Sequence, residues 1–211
     1  MKRTALLSVF NKDRLGELGT MLRGLGFEIL ASGGTARHLN DTLRIPAVDV
    51  ASIVGPEILG HRVVTLSREV YAGILARINQ MDDAELIRIG VPRIDLVFVD
   101  MYPLVKEILD PAHTFESVVE KIDVGGPTML HAAAKGGRIV MCRYNQMGVV
   151  RDVIKNRDFM TGGRLPPSFL CRIGSEADLE VAAYIAASAN FLASAAREFE
   201  ILERRESQQP G

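Results

Sequence analysis

Ser32-Gly33-Gly34-Thr35 ends an apolar run and opens a helical pattern. Glycines at such a turn let the backbone close on an anion, and a helix N-terminus adds free N–H groups and partial positive charge. A phosphate cradle and a plain strand-to-helix turn both fit those four residues. Asp123-Val124-Gly125-Gly126-Pro127-Thr128 is the second unusual segment, two glycines and a proline between helical patterns. Lys135 follows, within Ala132-Ala133-Ala134-Lys135-Gly136-Gly137. An ammonium among small apolar residues suits a partly desolvated base or an oxyanion donor. On the residues alone, a surface lysine favoured by the dipole at a helix end is the plainer account.

Arg62 lies in the strand-like run Gly60-His61-Arg62-Val63-Val64-Thr65-Leu66, where it needs an anionic partner, either a phosphate or an acid. Asp100-Met101-Tyr102-Pro103 ends the clearest apolar run, where functional residues of open α/β sheets collect. His38, His61, His113 and His131 show no ligand spacing and read as surface or packing residues. Cys142 and Cys171 form no CxxC or Cys/His cluster, so neither a disulfide framework nor a zinc site is expected.

The elements that must hold these residues alternate. Thr4 to Val9 reads as a buried strand; Leu15, Leu18, Leu22 and Leu25 follow at helical spacing, with Gly26 as the stop. Residues 27–31 read as a second strand and 32–43 as a helix. Residues 47–50, 62–66, 94–99 and 138–142 read as further strands, and 71–78 and 146–155 as helices. The alternation predicts an α/β fold with a parallel sheet flanked by helices. Its carboxyl edge would gather residues 8–12, 32–35, 100–103 and the segment before Arg138 around one crevice. Residues 1–155 form the expected nucleotide-binding domain and 156–174 a linker. A C-terminal helix over 175–205 starts at a capping box, Ser175 to Asp178. Its small-residue face (Leu179, Ala183, Ala186, Ala189, Ala193) is expected to pack closely on the domain or on a dimer partner, with a frayed tail from Glu206.

The chain has 211 residues, with 25 Lys+Arg against 26 Asp+Glu. The resulting net charge of −1 argues against broad binding to nucleic acid or an anionic membrane and leaves room for a local cationic pocket. The apolar run 5–10 is too short for a signal-peptide core, and no uninterrupted run approaches the ~20 apolar residues of a membrane span, so a cytoplasmic protein is expected.

Taken in order, several segments resemble one family. They are Ser8 to Lys12, Ala31 to Ala36, Pro56 to Leu66, Ala72 to Arg77, Met101-Tyr102-Pro103, Ile122 to Thr128 and Ala132 to Lys135. Over about residues 4–199 the chain resembles the IMP cyclohydrolase domain of the bifunctional purine enzyme that also carries AICAR transformylase. The transformylase part is not expected, because the chain stops where the linker to it would begin. The resemblance implies a methylglyoxal-synthase-like fold, a homodimer, a site for an IMP-like ribonucleotide and a ring closure without cofactor or metal. In that reaction the carboxamide nitrogen of a formamido-imidazole-carboxamide ribonucleotide attacks the formyl carbon, and water is lost. Carried over by position, Lys12, Ser32, Gly33, Gly34, Thr35, Arg62, Val63, Val64, Thr65, Asp100, Met101 and Val124 bind substrate. Tyr102 and Asp123 orient the carboxamide, and Lys135 transfers the proton.

Departures from the family pattern gather at the reacting end. Phe10 and Asn11 replace a Ser-Asp pair, Val64 stands where the family has a second active-site lysine, and Asp100 replaces an asparagine. Tyr71 replaces a histidine, Gly136 and Gly137 an Asn-His pair, and Phe191-Leu192 a Tyr-Asp pair. A cyclohydrolase-like enzyme with a retuned site is the reading these residues favour, and a paralogue that binds a purine nucleotide without turnover is the alternative. Methylglyoxal synthase itself is the weakest reading, because the Asp-x-Gly-Gly-Pro-Thr segment has no role there.

Overall fold

The computed structural model describes residues 3–60 and 62–207. Five strands form one parallel sheet: β1 (Thr4–Val9), β2 (Glu28–Ala31), β3 (Val48–Asp49), β4 (Ile94–Asp100) and β5 (Ile139–Met141), in the order β3-β2-β1-β4-β5. Leu6 pairs with Leu30 on one side and Val97 on the other, and Val97 pairs in turn with Val140. β1 and β4 are near-continuous apolar runs because helices cover both faces of the sheet. The chain builds outward from β1 to β3 and then crosses to β4. The order therefore reverses between β1 and β4, where a crevice opens beyond their carboxyl ends.

The helices are α1 (Leu15–Gly24), α2 (Gly33–Arg37, continued by a π turn to Thr42), α3 (Ala51–Val54), α4 (Arg68–Leu75) and α5 (Gln80–Arg88). After β4 come α6 (Leu104–Ile108), α7 (Phe115–Glu120), α8 (Gly125–Lys135), α9 (Met147–Asn156) and α10 (Pro167–Glu206). Leu15, Leu18 and Leu22 of α1 are buried at the spacing expected of them, and Gly26 takes the positive φ (91°) that ends the helix.

Three expectations are corrected. Residues 62–66 form no strand: Val63 makes one isolated antiparallel bridge to Ile58, and both edges of β1 are already occupied. Helix α4 begins at Arg68 rather than residue 71, because the Ser67 hydroxyl accepts the Val70 N–H at 3.1 Å and caps it there. The linker over 156–174 ends early, since α10 starts at Pro167 and carries Ser175 to Asp178 inside it. Phe169, Ile173, Ala177 and Val181 are buried at intervals of one helical turn, against α8 and β5. Gly174 does not break this helix; an added Cβ there would lie 3.4 Å from the Ala134 side chain, so the glycine brings α10 close to α8.

The small-residue face, Leu179, Ala183, Ala186, Ala189 and Ala193, does not pack on its own domain and is exposed in the single chain. By length and composition α10 is apolar enough to cross a membrane, a property that uninterrupted runs miss because Glu180, Ser188, Asn190 and Ser194 interrupt it. His61 and residues 208–211 of the expected tail lie outside the described residues.

Candidate functional site

A cleft of about 680 Å³ opens at the β1–β4 switch. The loop after β2 forms one wall. Ser32 is extended and its carbonyl accepts the N–H groups of Thr35 and Ala36 at 2.8 Å each, which starts the helical turn. Gly33 and Gly34 line the cleft, and a Cβ at Gly34 would meet nothing within 4 Å. Thr35 is buried away from the cleft. Its Oγ1 accepts the Val9 N–H and the Ser32 hydroxyl, both at 3.1 Å, clasping the loop to the end of β1. Its side chain shapes the loop and does not line the cleft.

The opposite wall is the entry to α8. Asp123 accepts the N–H of Gly126 at 3.0 Å, and a Cβ at Gly126 would collide with the Asp123 carboxylate. A Cβ at Gly125 would sit 2.7 Å from the Thr65 hydroxyl oxygen. The two glycines are thus required by the carboxylate and by Thr65, not by a turn. Burial raises the Asp123 pKa, with the Gly126 and Gly125 N–H groups opposing it. The backbone N–H of Asp123 donates to the Tyr184 hydroxyl on α10 at 2.9 Å.

Tyr102 closes the floor. Its hydroxyl donates to Glu107 at 3.1 Å, and its ring meets Phe10 edge-on at 4.5 Å. Arg62 reaches the cleft but pairs with Glu120 at 3.4 Å in an exposed contact, which solvent weakens. Val64 and Val124 line the cleft with aliphatic surface.

Other expected residues lie outside this space. The Lys12 ammonium donates to the carbonyls of Val9 (3.0 Å) and Phe10 (3.4 Å). Asp100 accepts the Asn11 N–H at 2.6 Å; its pKa is raised by burial, which outweighs that hydrogen bond and the charge of Lys12. Both residues shape the end of the β1–β4 seam. Val63 and Met101 are half-buried and do not line the cleft.

Lys135 lies apart from this cleft in its own chain. It is the exposed last residue of α8, whereas Asp123 lies two positions before the first, so the helix itself, about 15 Å long at 1.5 Å per residue, stands between them. Gly136, next to it, packs on the Ile74 carbonyl, and β5 starts at Ile139. Lys135 and the segment before Arg138 thus sit at the amino edge of the sheet, away from the crevice at the carboxyl edge. One chain brings together Asp123 and Tyr102 and leaves Lys135 out.

The cleft also contains groups that sequence reading passed over: Glu57, Glu120 and Lys121. Lys121, two positions before Asp123, was within reach of that reading; Tyr184, 61 positions from Asp123, carried no signal. Among the described residues no group of three His, Cys, Asp or Glu side chains is placed to hold a metal.

Residues 14–128 match the MGS-like domain family. The chain is similar to proteins named bifunctional purine biosynthesis protein PurH. Identity is 40% over 142 residues in Caldicellulosiruptor saccharolyticus, covering 66% of this chain and 28% of that protein. It is 45% over 148 residues in Prochlorococcus marinus (69% and 28%) and 46% over 138 residues in Thermosynechococcus vestitus (64% and 26%). The chain therefore spans only about a quarter of the length of these curated relatives. The crystal structure of ForH superposes with a TM-score of 0.73 at 31% identity, covering 89% of this chain and 97% of that one. With the match to residues 14–128 spanning more than half of its length, the chain belongs to the MGS-like domain family.

Proposed function

We propose that this protein is an IMP cyclohydrolase-like enzyme that closes a ring on a formamido-carboxamide ribonucleotide without a cofactor. The likeness to purine biosynthesis proteins supports a purine-related substrate. The observation that carries the reading is the cleft in which the Ser32 loop faces Asp123 and Tyr102. The 5′-phosphate sits at Ser32, Gly33 and Gly34, where backbone N–H groups open a helix. Arg62 joins it by leaving Glu120, a small cost for an exposed pair.

The heterocycle then lies against Asp123 and Tyr102. Asp123, with its raised pKa, takes a proton from the carboxamide nitrogen as that nitrogen bonds to the formyl carbon. The formyl C=O electron pair moves onto oxygen, which is protonated. The hydroxyl leaves as water with the proton from Asp123. The formamido N–H proton returns to the group that protonated the oxygen. Bonds and protons balance, and the net change is loss of one water.

Lys135 fits that last role only across a subunit boundary, because in its own chain the length of α8, about 15 Å, stands between it and Asp123. The reading therefore includes a homodimer that sets the amino edge of one sheet against the cleft of the other. The exposed apolar residues of α10, among them Leu179, Ile185 and Leu192, offer surface for such an interface.

Val64 favours the second reading, a nucleotide-binding paralogue, because it places an aliphatic side chain in the cleft. Incubation with the formamido ribonucleotide separates the two readings. IMP formation above the buffer rate supports the enzyme, and tight IMP binding without formation supports the paralogue.

A further inference from the structure

The ring closure just proposed needs a donor for the formyl oxygen while that oxygen gains charge. Val64 offers nothing, and Lys12 is hydrogen-bonded to its own strand end, outside the cleft. Arg62 and Lys121 are the cations lining the cleft among the described residues, and Arg62 is paired with Glu120. Lys121 differs from both. Its ammonium lies over the Tyr102 ring, 4.5 Å from the centroid, and makes no ion pair among the described residues. A ring face holds a cation in place without using up its N–H donors.

The backbone fixes this lysine relative to the reacting end. The Lys121 carbonyl accepts the Tyr184 hydroxyl proton at 3.2 Å, and that same hydroxyl accepts the Asp123 N–H at 2.9 Å. Lys121 and Asp123 therefore hang from one phenol on α10. Tyr102, already beside the cleft floor, holds the side chain. Three residues converge in one chain: a carboxylate, a phenol and an ammonium.

We propose that Lys121 is a further catalytic residue, its ammonium holding the formyl oxygen as negative charge develops there. This rests on the ring-closure reading. No proton changes hands at Lys121; it donates a hydrogen bond to the oxygen that receives the C=O electron pair.

Measured on the full chain, Lys121→Met lowers kcat for cyclisation about a hundred- to a thousandfold, the loss typical of one oxyanion donor. KM and the Kd for IMP stay within about threefold, because the interaction is made in the transition state. Lys121→Arg keeps part of the rate, ethylamine restores turnover to Lys121→Ala, and Val64→Lys raises turnover in the Lys121→Met background. Wild-type turnover with Lys121→Met within about threefold of it overturns this inference alone. Parallel loss of kcat and IMP binding in Lys121→Met, without amine rescue of Lys121→Ala, shows a structural role and also overturns it. A wild type that binds IMP and never forms it overturns the ring-closure reading as well.

Discussion

The backbone N–H of Asp123 donates to the hydroxyl of Tyr184 at 2.9 Å, so the long helix α10 holds the loop that carries the cleft's carboxylate. Burial of Phe169, Ile173, Ala177 and Val181 fixes the helix on α8 and β5, and Tyr184 lies less than one turn beyond Val181. The packing of α10 thus has a direct consequence for the reacting end.

Removing that hydroxyl leaves the Asp123 N–H and the Lys121 carbonyl without their partner. Tyr184→Phe is expected to cost about 1–3 kcal/mol, the usual penalty for orphaning part-buried polar groups. A lowered urea midpoint with unchanged slope, together with reduced cyclisation, is the expected result. An unchanged midpoint would show that water replaces the phenol without loss.

The two glycine pairs differ in what they accommodate. Gly126→Ala places its Cβ against the Asp123 carboxylate and is expected to abolish turnover by displacing it. Gly34→Ala meets open space, so its melting temperature should stay near that of the wild type while nucleotide affinity falls. Equal kinetics in Gly126→Ala and wild type would remove Asp123 from the reaction.

Phosphate recognition at the Ser32 loop predicts that IMP raises the melting temperature and inosine does not, since a ligand that binds only the folded state stabilises it by mass action. Equal shifts with both would remove the phosphate from this loop.

Asp123 carries a pKa raised mainly by burial, so its charge costs stability at pH values above the folded pKa. The cost fades as the pH falls toward the unfolded value of about 3.9. Asp123→Asn, which keeps an oxygen for the Gly126 N–H, should melt at or above wild type at neutral pH. The gap should narrow in acid. A variant melting well below wild type at neutral pH would mean that the carboxylate is a net stabiliser.

The outline of the sheet was legible because β1 and β4 are buried on both faces and read as apolar runs, whereas the family was legible only through the resemblance of segments such as Ala31 to Ala36 and Ile122 to Thr128. The Asp123 segment stood out because the glycines that make room for the carboxylate follow it directly, while the role of that carboxylate came from the resemblance alone. The run 62–66 misled because β propensity without a partner makes no strand. The linker over 156–174 misled at its end because Gly174 lies inside α10, against Ala134 of α8. Lys135 was placed by resemblance; only the length and direction of α8 show which edge of the sheet it occupies.

That separation gives a test of assembly. If a second copy supplies Lys135, Lys135→Ala and Asp123→Asn should each be inactive alone, and their mixture should regain activity through hybrid dimers. A mixture as inactive as its components would confine the chemistry to one chain. Sedimentation of the wild type should give twice 23.1 kDa.

The most direct measurement is the rate of IMP formation from the formamido ribonucleotide at matched nucleotide occupancy, for wild type, Asp123→Asn and buffer. Wild type should exceed buffer, and Asp123→Asn should fall to the buffer rate while still binding IMP. Wild type at the buffer rate with IMP bound would contradict the account.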